Sequence, residues 1–225
     1  MKIIELKETI TASNDRDAEV LREELRAKGT LLINLMASPG AGKTTLLERT
    51  IRDMKDKMRI AVMEADVDSD VDAVRIEKIG AKAVQAHTDG MCHMDAGMTR
   101  RALEGLGDEQ FDLVFLEHVG NLICPAEFDT GAGRCVMLLS VPEGDDKPLK
   151  YPLMFSVSDV LIITKTDVAP YFDFDADKCI ERARKLNPRI TVFTVSAKTG
   201  DGFAEWENWL KNAVADWKNE KLTGC

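Results

Sequence analysis

One run of residues, ASPGAGKTT at Ala37–Thr45, constrains this chain more than any other feature. It lies between the apolar stretch Leu31 to Met36, which reads as a buried strand, and Thr44 to Met54, which reads as a helix. Gly40 and Gly42 let the backbone turn so that successive N–H groups face phosphate oxygens. The helix that follows brings the positive end of its dipole to the same anion. The expected phosphate contacts come from Gly40, Ala41, Gly42, Lys43, Thr44 and Thr45. Lys43 pairs with the β- and γ-phosphates, and the Thr44 hydroxyl ligates Mg²⁺. Ala37 stands where the motif usually begins with glycine.

A strand that feeds a phosphate loop needs a sheet to belong to, and the rest of the chain supplies one. Apolar runs at Ile60 to Met63, Ala83 to Ala86, Leu113 to Leu116, Val136 to Val141, Val160 to Thr164 and Thr191 to Val195 read as strands. Helical patterns alternate with them, near Asp72 to Ile79, Asp95 to Leu106, Ala176 to Leu186 and Gly202 to Trp217. In the last of these, Phe203, Trp206, Leu210, Val214 and Trp217 recur at helical spacing, which predicts a packing stripe. This alternation predicts an α/β fold: a mostly parallel central sheet flanked by helices, the P-loop NTPase architecture. A helix starting near Ser13 or Asn14 and stopping at Gly29 forms an N-terminal extension, 1–29, ahead of a GTPase domain at 30–220. Asn121 to Gly133 and Glu143 to Pro152 are the least regular stretches.

Composition narrows the function classes. A net charge of −9 over 225 residues argues against a nucleic-acid partner. No apolar run approaches the roughly 20 residues that span a bilayer, and charges at Lys2, Glu5, Lys7 and Glu8 interrupt any secretion signal. Five widely spaced cysteines are not a disulfide framework, so a reducing cytoplasm is expected.

Two elements after later strands select the base. TKTD, Thr164 to Asp167, is similar to the NKxD element of GTPases, with threonine in place of asparagine. Asp167 can accept from guanine N1–H and the exocyclic amine, a donor pair adenine lacks, and Lys165 lies over the base. Ser196, Ala197 and Lys198 follow the strand Thr191 to Val195, where GTPases hold the guanine carbonyl by a backbone N–H. Between them lie two acidic switch candidates, Asp66 in EADVDSD and Glu117 in EHVG. Either can ligate Mg²⁺ and orient the attacking water. Gly120 lets its backbone reach the γ-phosphate. Asp68, Asp70 and Asp72 read as solvated or capping residues.

A separate constellation suggests a metal. Cys92 and His93 lie in GMCHMD, and Cys124 lies just past Gly120 in GNLICPAEFD. Cysteine with histidine suits Zn²⁺ or Ni²⁺, and both loops leave the nucleotide edge of the sheet. Water, Asp95 or a second chain can complete the set, so a symmetric dimer can hold metal between subunits. The opposing reading is that these cysteines are inert packing residues, as expected for Cys135 and Cys179. His87 reads as structural, and His118 as either a core hydrogen-bonding residue or an outer-shell one.

Together ASPGAGKTTLLE, GMCHMDA, EHVGNLICPAEFD, SVPEGDDKPLKYPLMF and VSAKTGDGFAEWENWL resemble the HypB family, the nickel-incorporation GTPases of the SIMIBI class of P-loop proteins. The resemblance spans roughly Leu31 to Leu210. It implies a slow GTPase, cycling between GTP and GDP, that dimerises with nucleotide and metal. It also implies nickel delivery to the [NiFe]-hydrogenase large subunit, with an accessory partner of the HypA family. Matched by position, Cys92, His93 and Cys124 become the Ni²⁺ or Zn²⁺ ligands, and Lys147 and Lys150 contact nucleotide or the partner subunit. The chain departs from the family in several places. Met1 to Gly29 holds no Cys or His, Gly97 and Arg101 stand where some relatives have histidines, and His118 replaces the usual asparagine. Alternatives are a nickel-insertion GTPase for another nickel enzyme, a small-molecule P-loop kinase, or a metal-storage module.

Overall fold

Every apolar run named above forms a strand, and all pair in parallel. The computed structural model describes residues 6–66, 71–88 and 90–220. Its strands, numbered in chain order, are β1 (Leu31–Ala37), β2 (Ile60–Asp66), β3 (Lys82–His87), β4 (Leu113–Glu117), β5 (Arg134–Ser140), β6 (Val160–Thr164) and β7 (Thr191–Thr194). They form one sheet in the order β3-β2-β4-β1-β5-β6-β7. β1 is buried along its whole length, between β4 and β5. The chain crosses from one side of β1 to the other as it passes from β4 to β5. That reversal opens a crevice at the carboxyl end of β1, where the phosphate loop begins.

The helices are α1 (Leu6–Lys28), α2 (Lys43–Met54), α3 (Val71–Lys78), α4 (Ala96–Gly105), α5 (Lys147–Lys150), α6 (Pro152–Val157), α7 (Ala176–Leu186) and α8 (Phe203–Asn219). Period-two alternation sorts the strand side chains into two cores. Val136, Leu138, Val160 and Ile162 join a large cluster with α2 and α8 residues such as Leu47 and Trp206. Met137, Leu139, Leu161 and Ile163 join a second with Met154, Phe155 and Cys179. The α8 stripe is buried as expected, and the Trp206 indole N–H donates to the Thr50 hydroxyl at 3.1 Å.

Two local expectations are corrected. α1 begins at Leu6, so Asn14 does not cap it. Instead Asn14 is buried, accepting from Ala96 N–H and donating to the Asp129 carbonyl, both at 2.9 Å. Arg22 grips the Asp129 carboxylate through two hydrogen bonds of 2.8 and 2.7 Å, so α1 is fastened to the segments that follow Cys92 and Cys124. The stretch from Glu143 to Pro152 is not irregular throughout, because Pro148 and Pro152 sit in the first turns of α5 and α6. Proline suits those positions, where an N–H has no helical partner. Among the described residues, no helix is long and apolar enough to cross a membrane.

Candidate functional site

The phosphate loop is shaped by its glycines and fastened on both sides. Gly40 (φ 76°) and Gly42 (φ 98°) occupy the left-handed region that other residues avoid. The Ser38 hydroxyl donates to Glu143, whose carboxylate also accepts from Ser140 N–H and Oγ at 2.8 and 2.7 Å. On the other arm, Lys165 Nζ donates to the Gly40 carbonyl at 2.6 Å, and Thr164 Oγ1 to the Ala41 carbonyl at 2.7 Å. Thr164 therefore ties β6 to the phosphate loop with a hydroxyl, although it lacks the amide expected at that position.

A cleft of about 570 Å³ opens over this loop, lined by Lys43, Thr44, Thr45, Glu117 and Gly120 together with Glu64, Arg75 and His118. Thr44 Oγ1 donates to Glu117 Oε1 at 2.8 Å, which brings the expected Mg²⁺ hydroxyl and carboxylate together. Glu64 stands beside Glu117 on the neighbouring strand, in register, and both are buried. Sequence reasoning chose Asp66 on β2 and missed Glu64, although residues two apart share a strand face. The backbone of Asp66 ends β2, while its side chain, like that of Asp72, lies outside the described residues, as do Asp68, Asp70 and Cys225 altogether. Arg75, from α3, was also missed; its Nε donates to Glu48 at 3.0 Å. Gly120 packs on the loop itself: a Cβ there would lie 2.8 Å from Pro39 Cγ and 3.0 Å from its backbone nitrogen.

A smaller, mostly apolar slot of about 170 Å³ adjoins the cleft, sharing Gly42, Thr45 and Lys165 with it. Leu46, Val168, Val195 and Ala197 form its walls, and Asp167 and Lys198 supply its charges. Ser196, fully buried, donates its hydroxyl to Asp167 Oδ1 at 2.8 Å and so fixes the carboxylate. Lys165 has φ 59°, the single non-glycine residue with positive φ among those described. That conformation lets its side chain run between slot and cleft.

The two candidate metal loops meet only in part. Cys92 Sγ and Cys124 Sγ approach to 2.8 Å as free thiols, and the hydrogen bond between them raises the Cys92 thiol above its usual pKa. His93 is not in this pair; its ring stacks on Phe128 at 3.9 Å between centroids, and its buried Nδ1 has no hydrogen-bond partner among the described residues. Among the described residues no three His, Cys, Asp or Glu side chains close around a metal position. Asp95 is occupied as the N-cap of α4, accepting from Met98 N–H at 2.7 Å. Lys147 and Lys150 do not line the cleft: Lys150 pairs with Asp146 at 2.6 Å, and Lys147 lies over the Tyr151 ring.

The remaining candidates resolve individually. His118 is buried, and its Nε2 accepts from Met94 N–H at 3.1 Å. Burial, with the charges of His93 and Lys43, depresses its pKa to about 3, so the ring is neutral. His87 is exposed at the end of β3. Burial pushes the Cys135 and Cys179 thiols up to about 12, as befits packing residues.

Comparison with known proteins gives a consistent picture. A model of the CobW/HypB/UreG nucleotide-binding domain matches residues 31–194. Hydrogenase maturation factor HypB of Rhizobium leguminosarum bv. viciae is 44% identical over 214 residues, covering 95% of this chain and 72% of the relative. The Escherichia coli K12 protein of the same name is 43% identical, with 93% and 72% covered. Among solved structures, HypB from Helicobacter pylori in complex with nickel superposes with a TM-score of 0.87 at 38% identity, covering 95% of this chain and 99% of that one. HypB from Archaeoglobus fulgidus gives 0.84 at 40% identity, with 90% and 99% covered. The signal recognition particle receptor FtsY of Elizabethkingia anophelis, in complex with GDP, shares the fold alone, at 14% identity and a TM-score of 0.53 over 78% of this chain and 64% of that one.

Proposed function

Because the chain belongs to the CobW/HypB/UreG family of nucleotide-binding proteins, within its HypB hydrogenase maturation factors, we propose that it is a GTPase that carries nickel during [NiFe]-hydrogenase maturation. The observation that carries this reading is the 2.8 Å approach of Cys92 and Cys124 on loops that leave the same sheet edge as the phosphate loop. A nucleotide cleft alone fits many reactions. A pair of thiols beside its switch loop fits a protein whose cargo is a soft or borderline divalent ion.

GTP lies with its base in the apolar slot and its phosphates over Gly40–Thr45. Asp167, held by Ser196, accepts both guanine donors, which selects against adenine. Lys43 neutralises the β- and γ-phosphates, and the positive end of α2 adds to it. The oxygen donors Thr44 and Glu117 suit a hard cation such as Mg²⁺, which would draw charge off the terminal phosphate; Asp66 is the further candidate ligand. Glu117 orients the attacking water, and hydrolysis is slow.

Cys92 and Cys124 offer half of a tetrahedral set for Ni²⁺ or Zn²⁺. The rest comes from His93 turning off Phe128 or from a second copy presenting the same pair. Met91 and Ile123, 41% and 57% exposed and each next in the chain to one of the two cysteines, suit a homodimer contact. Lys150 is exposed on α5 and Lys147 half-buried beside it, and both are available to the other subunit. Transfer runs between a HypA-family accessory protein and the hydrogenase large subunit, in a reducing cytoplasm that keeps the thiols free.

The test is a titration of Ni²⁺ or Zn²⁺ into wild type and Cys92→Ala, each with and without a non-hydrolysable GTP analogue. Metal binds more tightly to wild type with the analogue, and binding is lost in the variant. Equal affinity in all four conditions sinks the reading. Phosphate release from GTP, but not from ATP, should disappear in Lys43→Ala.

A further inference from the structure

We infer that His118 is a positioning residue that ties the state of the phosphate cleft to the loop carrying Cys92 and His93. The inference rests on the GTPase reading above and concerns this chain's own device for communication between its two sites.

His118 follows Glu117, the residue that takes the Thr44 hydroxyl, and its backbone N–H donates to the Leu35 carbonyl at 3.0 Å. The backbone is thus pinned to β1 at the point where β1 turns into the phosphate loop. The ring reaches the other way, accepting Met94 N–H on Nε2 at 3.1 Å, one residue past His93 and two past Cys92. Since Nε2 accepts, the neutral ring carries its hydrogen on Nδ1. That Nδ1 is buried and has no acceptor in hydrogen-bonding geometry among the described residues, although the Val119 backbone draws weakly on the ring, and the residue lines the phosphate cleft. A buried donor without an acceptor is unusual in a settled structure. The two charges acting on the ring are Lys43, from the nucleotide site, and His93, from the metal loop.

A ring held at one nitrogen retains freedom to tilt. A phosphate oxygen, or a water ordered by it, gives Nδ1–H an acceptor and holds the ring at both ends. Met94 N–H is then held firmly, and with it the direction in which Cys92 and His93 point. When the terminal phosphate leaves, the donor is orphaned again and the loop loosens. A weaker contact runs parallel: Asn121 N–H donates to the Ala37 carbonyl at 2.9 Å, and its side-chain amide lies 3.5 Å from the Cys92 carbonyl.

Amide hydrogen exchange at Met94 tests this directly in metal-free protein at saturating GDP or GTP analogue. In wild type the analogue slows exchange at least tenfold relative to GDP. In His118→Leu, which fills the space without an acceptor, exchange is fast and alike in both nucleotides; His118→Gln, which restores an acceptor, recovers part of the difference. Retention of the full wild-type difference in the leucine variant overturns the inference and leaves the GTPase reading intact. So does equal exchange of wild-type protein in the two nucleotides. Failure of wild type to bind either nucleotide overturns both. The nickel affinity ratio between the two nucleotide states should fall toward one in His118→Leu and persist in His118→Gln.

Discussion

On the proposed GTPase reading, selectivity for the base comes down to one carboxylate and one hydroxyl. Ser196 donates to Asp167 Oδ1, leaving the group oriented toward a slot whose other walls are apolar. Hydrogen bonds to a charged group contribute about 1.5–3 kcal/mol each, so Asp167→Asn should weaken GTP binding at least about 100-fold. Xanthosine triphosphate, with a carbonyl in place of the exocyclic amine, should bind the variant better than GTP does; competition against a fluorescent nucleotide measures both. The buried His118 gives a second residue-level consequence. Its pKa falls to about 3 in the folded protein, facing Lys43 and His93, and returns to an ordinary value on unfolding. The unfolded chain therefore binds the proton first, and the stability that His118 contributes is present above about pH 6.5 and lost as pH falls toward 3. Between pH 7 and pH 5 metal-free wild type should lose about 2 kcal/mol more than His118→Gln, read from urea unfolding.

At the level of elements, α1 does more than lead into the sheet. Asn14 joins Ala96, at the start of α4, to Asp129, a few residues past Cys124, and Arg22 holds the same aspartate. Asn14→Ala leaves a buried N–H and a buried carbonyl without partners, so it should cost about 2–3 kcal/mol. Urea titration should show a lower midpoint at unchanged slope, and the two metal-loop segments should drift apart, weakening metal binding. This brace was hidden in the sequence because Asn14 resembles a capping residue and its partners lie 82 and 115 positions away. The strands were legible because buried parallel strands read as near-continuous apolar runs, interrupted in β1, β4 and β6 by Asn34, Glu117 and Thr164 alone. The phosphate loop, Glu117, Asp167 and Ser196 were legible because each ends a strand at the same edge. Glu64, Glu143 and His118 were not assigned their roles, since their partners are set by register and by loop return, which no local pattern encodes. His93 marks a different limit: it is a motif neighbour of Cys92, but no local pattern foretells that its ring stacks on Phe128.

Over the whole molecule, the strand order decides what can communicate with what. β1 leads into the phosphate loop, β4 ends at Glu117 and leads on to His118, Gly120 and Cys124, and the two strands are locked in register with Leu35 opposite Glu117. A slip of one residue would turn Glu117 to the other face of the sheet, so the pairing cannot serve as the moving part. With β4 held in register, any movement that the proposed cycle needs falls to the stretch from Val119 to Ile123, which packs on Pro39 at Gly120 and reaches the thiols beyond. That stretch is a crank of set length: its throw at Cys124 depends on the number of residues it contains. One glycine inserted between Asn121 and Leu122 should leave GTP affinity within about threefold, since the proposed nucleotide contacts lie before that point or on other loops. It should also leave Cys124 out of step with Cys92, abolishing the nucleotide dependence of metal binding. Lengthening the crank thus separates timing from holding, and offers a way to build a chain that hydrolyses GTP without ever signalling its load.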